Sequence, residues 1–376
     1  MQIITVTEQE RDFWDQEIAK FKFVHPLNAF GWGKVRYVDG WHPTYYIAKK
    51  GDVVTGLIMV LRKNIPYTGL SIMYAPKGPV WEPSDQCTLK ALLTKVKEEG
   101  RKKGAIFIRI DPNLPEDMFQ DVNDPFIKEG FIHLEHRWSF WNSPRDVYRI
   151  DISKAQNEDE LFATIDRDAR RCVRKATKDG VTIRPAENLE DLHKFYEIFS
   201  GFSVVKGFMC RKYEYQKALW NEFVEKGNGR LFLATYQGDV IGGIICLFYG
   251  RKCLAMHMGT PPQFNKLQTY YAYVWESIRW AKQMGCCWYS FRGVGTTPTQ
   301  ESFKRKFKPQ AIALAGYYDL PLNPVGYRLF NFCEFEILPR VWHMLMNIRR
   351  GYKYIVDYYY KITSHSKNKI DIKGNL

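Results

Sequence analysis

Tyr-Tyr-Ile-Ala-Lys-Lys-Gly-Asp-Val-Val-Thr-Gly-Leu-Ile-Met-Val-Leu, residues 45–61, returns as Leu-Phe-Leu-Ala-Thr-Tyr-Gln-Gly-Asp-Val-Ile-Gly-Gly-Ile-Ile-Cys-Leu, residues 231–247, with one extra residue before the Gly-Asp pair. Each copy reads as strand, tight Gly-Asp turn, strand, which is a β-hairpin. Downstream of each hairpin a helical pattern runs into a strand. In the first copy residues 91–104 lead into Ala-Ile-Phe-Ile-Arg-Ile-Asp (105–111), and in the second residues 271–285 lead into Cys-Cys-Trp-Tyr-Ser-Phe-Arg (286–292). Two copies of one module explain a chain of 376 residues more readily than a single large domain does.

Composition limits what the module serves. With 45% hydrophobic and 15% aromatic residues the chain is globular, and 55 Lys plus Arg against 41 Asp plus Glu leave it at +14. Such an excess favours a polyanionic partner: nucleic acid, nucleotide phosphates or an anionic membrane face. The eight cysteines form no CxxC pair or other metal-ligand spacing, as expected of free thiols in a reducing cytosol. His133 and His136 lack a carboxylate or thiol partner, so no metal and no cofactor is expected. The N-terminus turns acidic where a signal peptide turns apolar, and the longest apolar run, residues 240–249, is too short to span a bilayer. A cytoplasmic protein is expected, soluble or peripheral at the inner face of the membrane.

Hairpin, further strand, helix, strand is the order of the central part of a GNAT-type acyltransferase, an α/β (α+β) fold whose acyl donor sits where two strands splay. Enzymes of that fold using acyl-CoA carry a Gly-rich turn before the central helix, because backbone N–H groups must approach the pyrophosphate. The matching stretch here, residues 260–270, has no glycine, and Gly293-Val294-Gly295 follows a strand as a turn.

Five stretches, in order on the duplicated frame, carry a resemblance: Trp-Gly-Lys-Val-Arg (32–36), Ile-Arg-Ile-Asp-Pro-Asn (108–113), Arg-Arg-Cys-Val-Arg-Lys-Ala-Thr-Lys-Asp-Gly-Val (170–181), Trp-Tyr-Ser-Phe-Arg-Gly-Val (288–294) and Phe-Lys-Arg-Lys-Phe (303–307). The chain resembles the Fem family of peptidoglycan aminoacyltransferases, and most of all its compact FemX type. The resemblance implies two tandem GNAT-like domains, residues 1–145 completed by 311–376, and residues 146–310. It implies an aminoacyl-tRNA donor, which accounts for the missing CoA turn, and as acceptor an amine on the stem peptide of a peptidoglycan precursor, UDP-MurNAc-pentapeptide or lipid II. The amino acid is expected to be of the Gly, Ser or Ala class, and the protein a monomer. Some members insert a coiled-coil arm in the second domain; residues 160–230 show no sustained heptads, so none is expected here.

Residue by residue, the resemblance makes Lys304 the catalytic group at the aminoacyl end of the donor, with Phe303 a stacking face for the terminal adenine. On residue pattern alone, 297–309 is an amphipathic helical turn in which Lys304 and Lys308 share a face and Phe307 packs inward. Lys306, with Arg171 and Arg174 from the basic stripe over 167–178, is assigned to tRNA phosphates, a solvated helix face being the alternative for the stripe. Arg36, where compact members carry lysine, Arg211 and Tyr215 are assigned to the acceptor's phosphates. Asp111 either orients the acceptor or caps the loop before Pro112. Met256 and Met258 stand where compact members have tyrosines. The tail from Pro339 either packs on the first domain or rests on an anionic membrane. Two other classes share these features: a GNAT-fold N-acyltransferase using acyl-CoA, and a non-catalytic module binding tRNA or membrane.

Overall fold

The computed structural model describes residues 1–118, 126–134, 145–295, 297–341, 344–345 and 347–348. Two sheets carry the repeat. The first has eight strands: β1 (Gln2–Val6), β2 (His42–Lys50), β3 (Val53–Asn64), β4 (Ser71–Ala75), β5 (Val80–Trp81), β6 (Ala105–Ile110), β7 (Ile132–Leu134) and, from far down the chain, β15 (Tyr317–Pro321). Their order is β1-β2-β3-β4-β6-β15-β7, with β5 on β3. The second has seven: β8 (Asp146–Asp151), β9 (Thr182–Pro185), β10 (Gly229–Tyr236), β11 (Asp239–Tyr249), β12 (Lys252–Gly259), β13 (Trp288–Ser290) and β14 (Gln310–Ala313), in the order β14-β8-β13-β12-β11-β10-β9.

The duplicated hairpins are β2–β3 and β10–β11, and in each sheet the third strand then pairs parallel with the strand after a helix, β4 with β6 and β12 with β13. The helices between them are α3 (Gln86–Lys102) and α8 (Thr269–Gln283). Asp85 caps α3 by accepting from the Thr88 amide at 3.0 Å, so the helix opens five residues before the position read from its apolar period. In the second hairpin the turn is Gln237-Gly238, with φ of +52° and +89°, instead of Gly238-Asp239; glycine supports the left-handed pair that a two-residue hairpin loop demands. The strand expected over 286–292 shortens to three residues, and β14 places 311–313 in the second sheet, past the boundary drawn at 310.

Between 158 and 219 lie α4 (Glu158–Thr164), α5 (Arg167–Lys178), α6 (Leu189–Lys206) and α7 (Tyr213–Leu219); α5 packs on α8, α4 meets α8 through Phe162 on Trp275, and α6 packs on β10, β11, β12 and α7, leaving no projecting arm. One apolar cluster runs from Trp14 of α1 (Arg11–Ala19) and Tyr45 and Leu61 of the first sheet through Leu219 of α7 to Leu231 and Leu247 of the second, so the two halves share a core. Polar contacts add to it: Asp15 accepts from the Tyr249 hydroxyl at 2.6 Å and from the Phe30 amide at 2.8 Å. Among the described residues no helix is long and apolar enough to cross a membrane.

Candidate functional site

Arg36 is carried by α2 (Phe30–Tyr37), a short helix held hard against β2. A Cβ on Gly33 would stand 2.1 Å from the Tyr45 hydroxyl and 2.7 Å from Pro43 Cβ, so only glycine permits this approach. The Tyr45 hydroxyl donates to the Phe30 carbonyl at 2.7 Å, and the two rings stack at 3.9 Å. The helix thus delivers Arg36, 5% exposed, between Trp32 and Trp41, its guanidinium 6.0 and 5.4 Å from their ring centres.

Asp39 stands at the centre of this corner. Its Oδ2 receives Arg211 Nη1 at 2.5 Å and lies 3.9 Å from Arg36 Nε, while its carbonyl accepts from Lys63 Nζ at 3.0 Å. The Arg211 guanidinium lies 5.0 Å over the ring of Tyr215, a buried residue of α7. Three cations around one carboxylate leave a surplus of positive charge in an aromatic wall. Burial, then Arg211, pulls Arg36 below its ordinary pKa, and burial pulls Lys63 down too. Arg36 Nε, buried, has no hydrogen-bond partner among the described residues. A cationic corner with an unspent donor suits a phosphate oxyanion. Arg36, Arg211 and Tyr215, far apart in sequence, therefore meet; Lys63 and Asp39 join them without having been singled out.

Asp111 is 1% exposed, accepts from the Lys77 amide at 2.6 Å and pairs with Lys77 Nζ at 3.2 Å. Burial raises its pKa against the pull of Lys77. Its carboxylate is engaged in this buried ion pair, with Tyr74, whose ring packs on Trp41 at 6.4 Å, also acting on it.

The second half contributes the turn after β13. Cα partners run only from Lys252/Trp288 to Leu254/Ser290, while β12 continues to Gly259; the two strands part there. Arg292 follows with φ +71°, and its charge bears on Tyr215 and Arg211 to one side and on Lys304 to the other. Arg292 went unremarked in the sequence although its strand was quoted; the signal was an arginine between a strand end and a glycine turn. Lys304 lies on α9 (Pro298–Arg305), which opens on a Thr297 cap with proline at its first position. Its Nζ donates to the carbonyls of Gly293 at 2.5 Å and Phe291 at 3.4 Å. Burial, reinforced by Arg292, brings that amine down to about 8.

The rest of the basic run departs from the helical picture. α9 stops at Arg305, and Lys308, exposed with φ +48°, is past its end; Pro309 bars the α region to the residue before it. Lys304 and Lys308 therefore do not share a face. Phe307 is 1% exposed, stacked on Tyr271 at 5.8 Å, as expected of a core residue. Phe303 is half-buried between Tyr271 at 5.0 Å and Tyr270 at 5.8 Å. Lys306 pairs with Asp168 at 2.7 Å and Asp166 at 3.6 Å at the start of α5. On α5 itself Ala169, Val173 and Ala176 face inward, Arg171 is 76% exposed beside Asp168 at 3.5 Å, and Arg174 reaches over Phe162 at 5.2 Å. Arg171 and Arg174 line a shallow groove with Lys175, Lys178 and Asp179, the last paired with Lys175, so that it is basic on balance.

His257, between the two methionines of β12, shares hydrogen-bond distance with Gln216 at 3.2 Å, 6.2 Å from the Tyr215 ring; burial, with Arg292 and Arg211, drives it down to about 3, a neutral ring. His133 bonds the Ala315 carbonyl at 3.0 Å, and His136 lies outside the described residues, as does most of the tail beyond Pro339. Among the described residues no group of three or more His, Cys, Asp or Glu converges as a metal site.

The FemAB family model matches residues 6–240 and 232–334. The chain belongs to the FemAB family. Curated relatives include lipid II:glycine glycyltransferases of Staphylococcus aureus (strain USA300), 28% identical, and of Staphylococcus haemolyticus (strain JCSC1435), 21% identical, each matched over 94% of this chain and 100% of its own length. The first alignment spans 433 positions, more than the 376 residues here, so that relative carries segments which this FemAB chain lacks. Among solved structures, FemX superposes with a TM-score of 0.79 at 20% identity, covering 88% of this chain and 99% of that one. A tandem GNAT protein from the clavulanic acid pathway gives 0.52 at 10% identity, covering 85% and 98%. The fold of this FemAB-family chain is thus a pair of GNAT-like units.

Proposed function

We propose that this FemAB-family aminoacyltransferase moves an amino acid of the Gly, Ser or Ala class from aminoacyl-tRNA to an amine on the stem peptide of a peptidoglycan precursor, nucleotide-linked or lipid-linked. It would work as a monomer in the cytoplasm, or peripherally at the inner face of the membrane. The observation that carries the reading is the continuity of positive charge from Lys304 through Arg292 to the Arg211, Arg36 and Lys63 corner. A phosphorylated acceptor fits the corner, and an activated ester fits the lysine. The name borne by the staphylococcal relatives supports the same acceptor class.

The chemistry asks for little. An uncharged acceptor amine attacks the ester carbonyl carbon, the carbonyl electrons move onto oxygen, and on their return the ribose oxygen leaves and takes up a proton from the amine. The Lys304 ammonium, anchored on two backbone carbonyls, is fixed where it offsets the oxyanion, and no reorganisation is needed at the moment of reaction. The domain assignment from the sequence, 1–145 with 311–376 against 146–310, adjusted to 313, puts acceptor groups on both sides of the junction. Incubation with charged tRNA and either precursor, followed by mass measurement of the product, tests the reading; acetyl-CoA in place of tRNA should give no product.

Donor binding should be largely electrostatic, through Arg171, Arg174 and the groove of α5. If about six phosphates are met, log affinity should fall against log salt with a slope of about −4 to −5. A filter-binding series giving a slope near zero would remove tRNA as the donor. On the acceptor side, Arg36→Ala should raise KM by an amount on the order of 1.5–3 kcal/mol with little change in tRNA affinity, since a charge-assisted contact is lost from a dry corner. Arg36→Lys should restore part of it. Equal loss of tRNA binding would move Arg36 to the donor side.

A further inference from the structure

A second cationic pocket lies where the halves meet and shares Arg292 with the charges just described. His25 and Lys77 line it from the first half, and Arg149, Ser290 and Arg292 from the second, around room for one water-sized group. The lining offers donors. Lys77, 3% exposed, has its single carboxylate partner, Asp111, and Arg149 donates to Asn113 Oδ1 at 2.7 Å but makes no ion pair among the described residues. Arg292, whose amide donates to Ser290 Oγ at 3.3 Å, makes no ion pair among the described residues either. His25 Nδ1 accepts from the Leu27 amide at 3.1 Å, which puts the ring proton on Nε2 as a further donor. The charges are not compensated from behind: Lys252, the next cation, spends its amine on the carbonyls of Lys22 and Val24 at 2.5 and 2.7 Å. Burial brings Arg149 down to about 10, and burial with Lys77, Arg149, Lys252 and Arg292 holds His25 well below its usual value. Three partly desolvated cations from opposite halves with one carboxylate between them lack an anion.

We propose that this pocket is an oxyanion site bridging the two halves, seating one carboxylate or phosphate oxygen between Lys77 on one side and Arg149 and Arg292 on the other. Such an oxygen has two sources, a carboxylate on the peptide of the acceptor or a free inorganic anion; the first rests on the transfer proposed above, the second does not.

Thermal unfolding of the full chain, titrated with sodium acetate and with sodium phosphate at constant ionic strength and without tRNA, tests the site. A rise in Tm of about 2–4 °C that saturates is expected. It should vanish in Arg149→Gln and persist in Lys154→Gln, which removes an equal charge from a side chain 75% exposed. Should Arg149→Gln not fold, Arg149→Lys serves: one point charge replaces the fork, and half-saturating acetate should rise by roughly tenfold. A stem peptide with free carboxylates that stabilises where its fully amidated form does not assigns the oxygen to the acceptor; equal, weak effects of both peptides beside saturable acetate assign it to a free anion. An identical, unsaturating response in the wild type and the Arg149 variants overturns the site. Because no transfer is measured, failure of the aminoacyl-tRNA reading leaves this result standing.

Discussion

Lys304→Met should lower single-turnover aminoacyl transfer by roughly 10²–10³, the loss that follows removal of one oxyanion donor. Methionine keeps the aliphatic volume, and the carbonyls of Phe291 and Gly293 lose a donor at a turn that solvent partly reaches, so fold and acceptor affinity should hold. Lys308→Met is the control. It deletes the same charge from an exposed position past the helix end, where screening makes the loss no more than about threefold. The pH dependence gives a second handle. Burial and Arg292 bring the Lys304 amine down to about 8, so its charge is present below that pH and disappears above it, and the contribution of Lys304 should fade as pH rises through about 8. A normal lysine would stay charged there. Lys304→Arg should flatten that alkaline limb even if its rate is lower. Equal rates for the two methionine variants, or an alkaline limb unmoved in Lys304→Arg, would take Lys304 out of the chemistry.

What the sequence disclosed follows the range over which each signal acts. Hairpins and the helices after them are local: the period of 45–61 and 231–247 specifies strands, and the apolar faces of α3 and α8 specify what they cover. Errors came where a neighbour intervened. Pro309 ended the helical run early, and Thr269 and Gln86 began helices ahead of the periodic residues. The site was legible in part. Arg36, Arg211 and Tyr215, named through the family resemblance, lie together in the structure, yet Asp39, which draws both arginines together, and Lys63 carry no local mark. Lys306, assigned to tRNA phosphates, meets Asp166 and Asp168 at the start of another helix, and Asp111, left between orienting the acceptor and capping its loop, meets Lys77 from a separate turn; neither pairing has a local signal. Charge pairing between distant segments is decided by the fold.

Arg109 is the clearest instance, and it carries the largest stability effect expected. It stands in Ile-Arg-Ile-Asp, two residues from Asp111, inside a strand whose other side chains are apolar, and it is 2% exposed. Its Nε and Nη2 grip Asp319 of β15 at 2.7 and 2.8 Å, and Nη1 reaches Glu334 at 3.0 Å. The Tyr327 hydroxyl donates to the same Asp319 at 3.0 Å. Asp319, Tyr327 and Glu334 all belong to the returning segment, with Tyr327 on α10 (Pro324–Phe332), so one arginine of β6 ties that segment to the first sheet. Replacing the cation by methionine fills the volume but strands two buried carboxylates, which should cost about 3–5 kcal/mol. Glu334→Gln should cost far less, because Arg109 and Asp319 remain a bidentate pair and the amide oxygen still accepts from Nη1. The comparison separates the two accounts of Arg109: lost packing, in which Arg109→Met is mild, and lost charge compensation, in which it is severe. Chemical denaturation monitored through the tryptophans, with the two midpoints compared at equal m, reads the difference. Near-equal midpoints would mean that charge compensation by Arg109 is not what fixes the returning segment, which is then held by its apolar contacts with Phe107 instead.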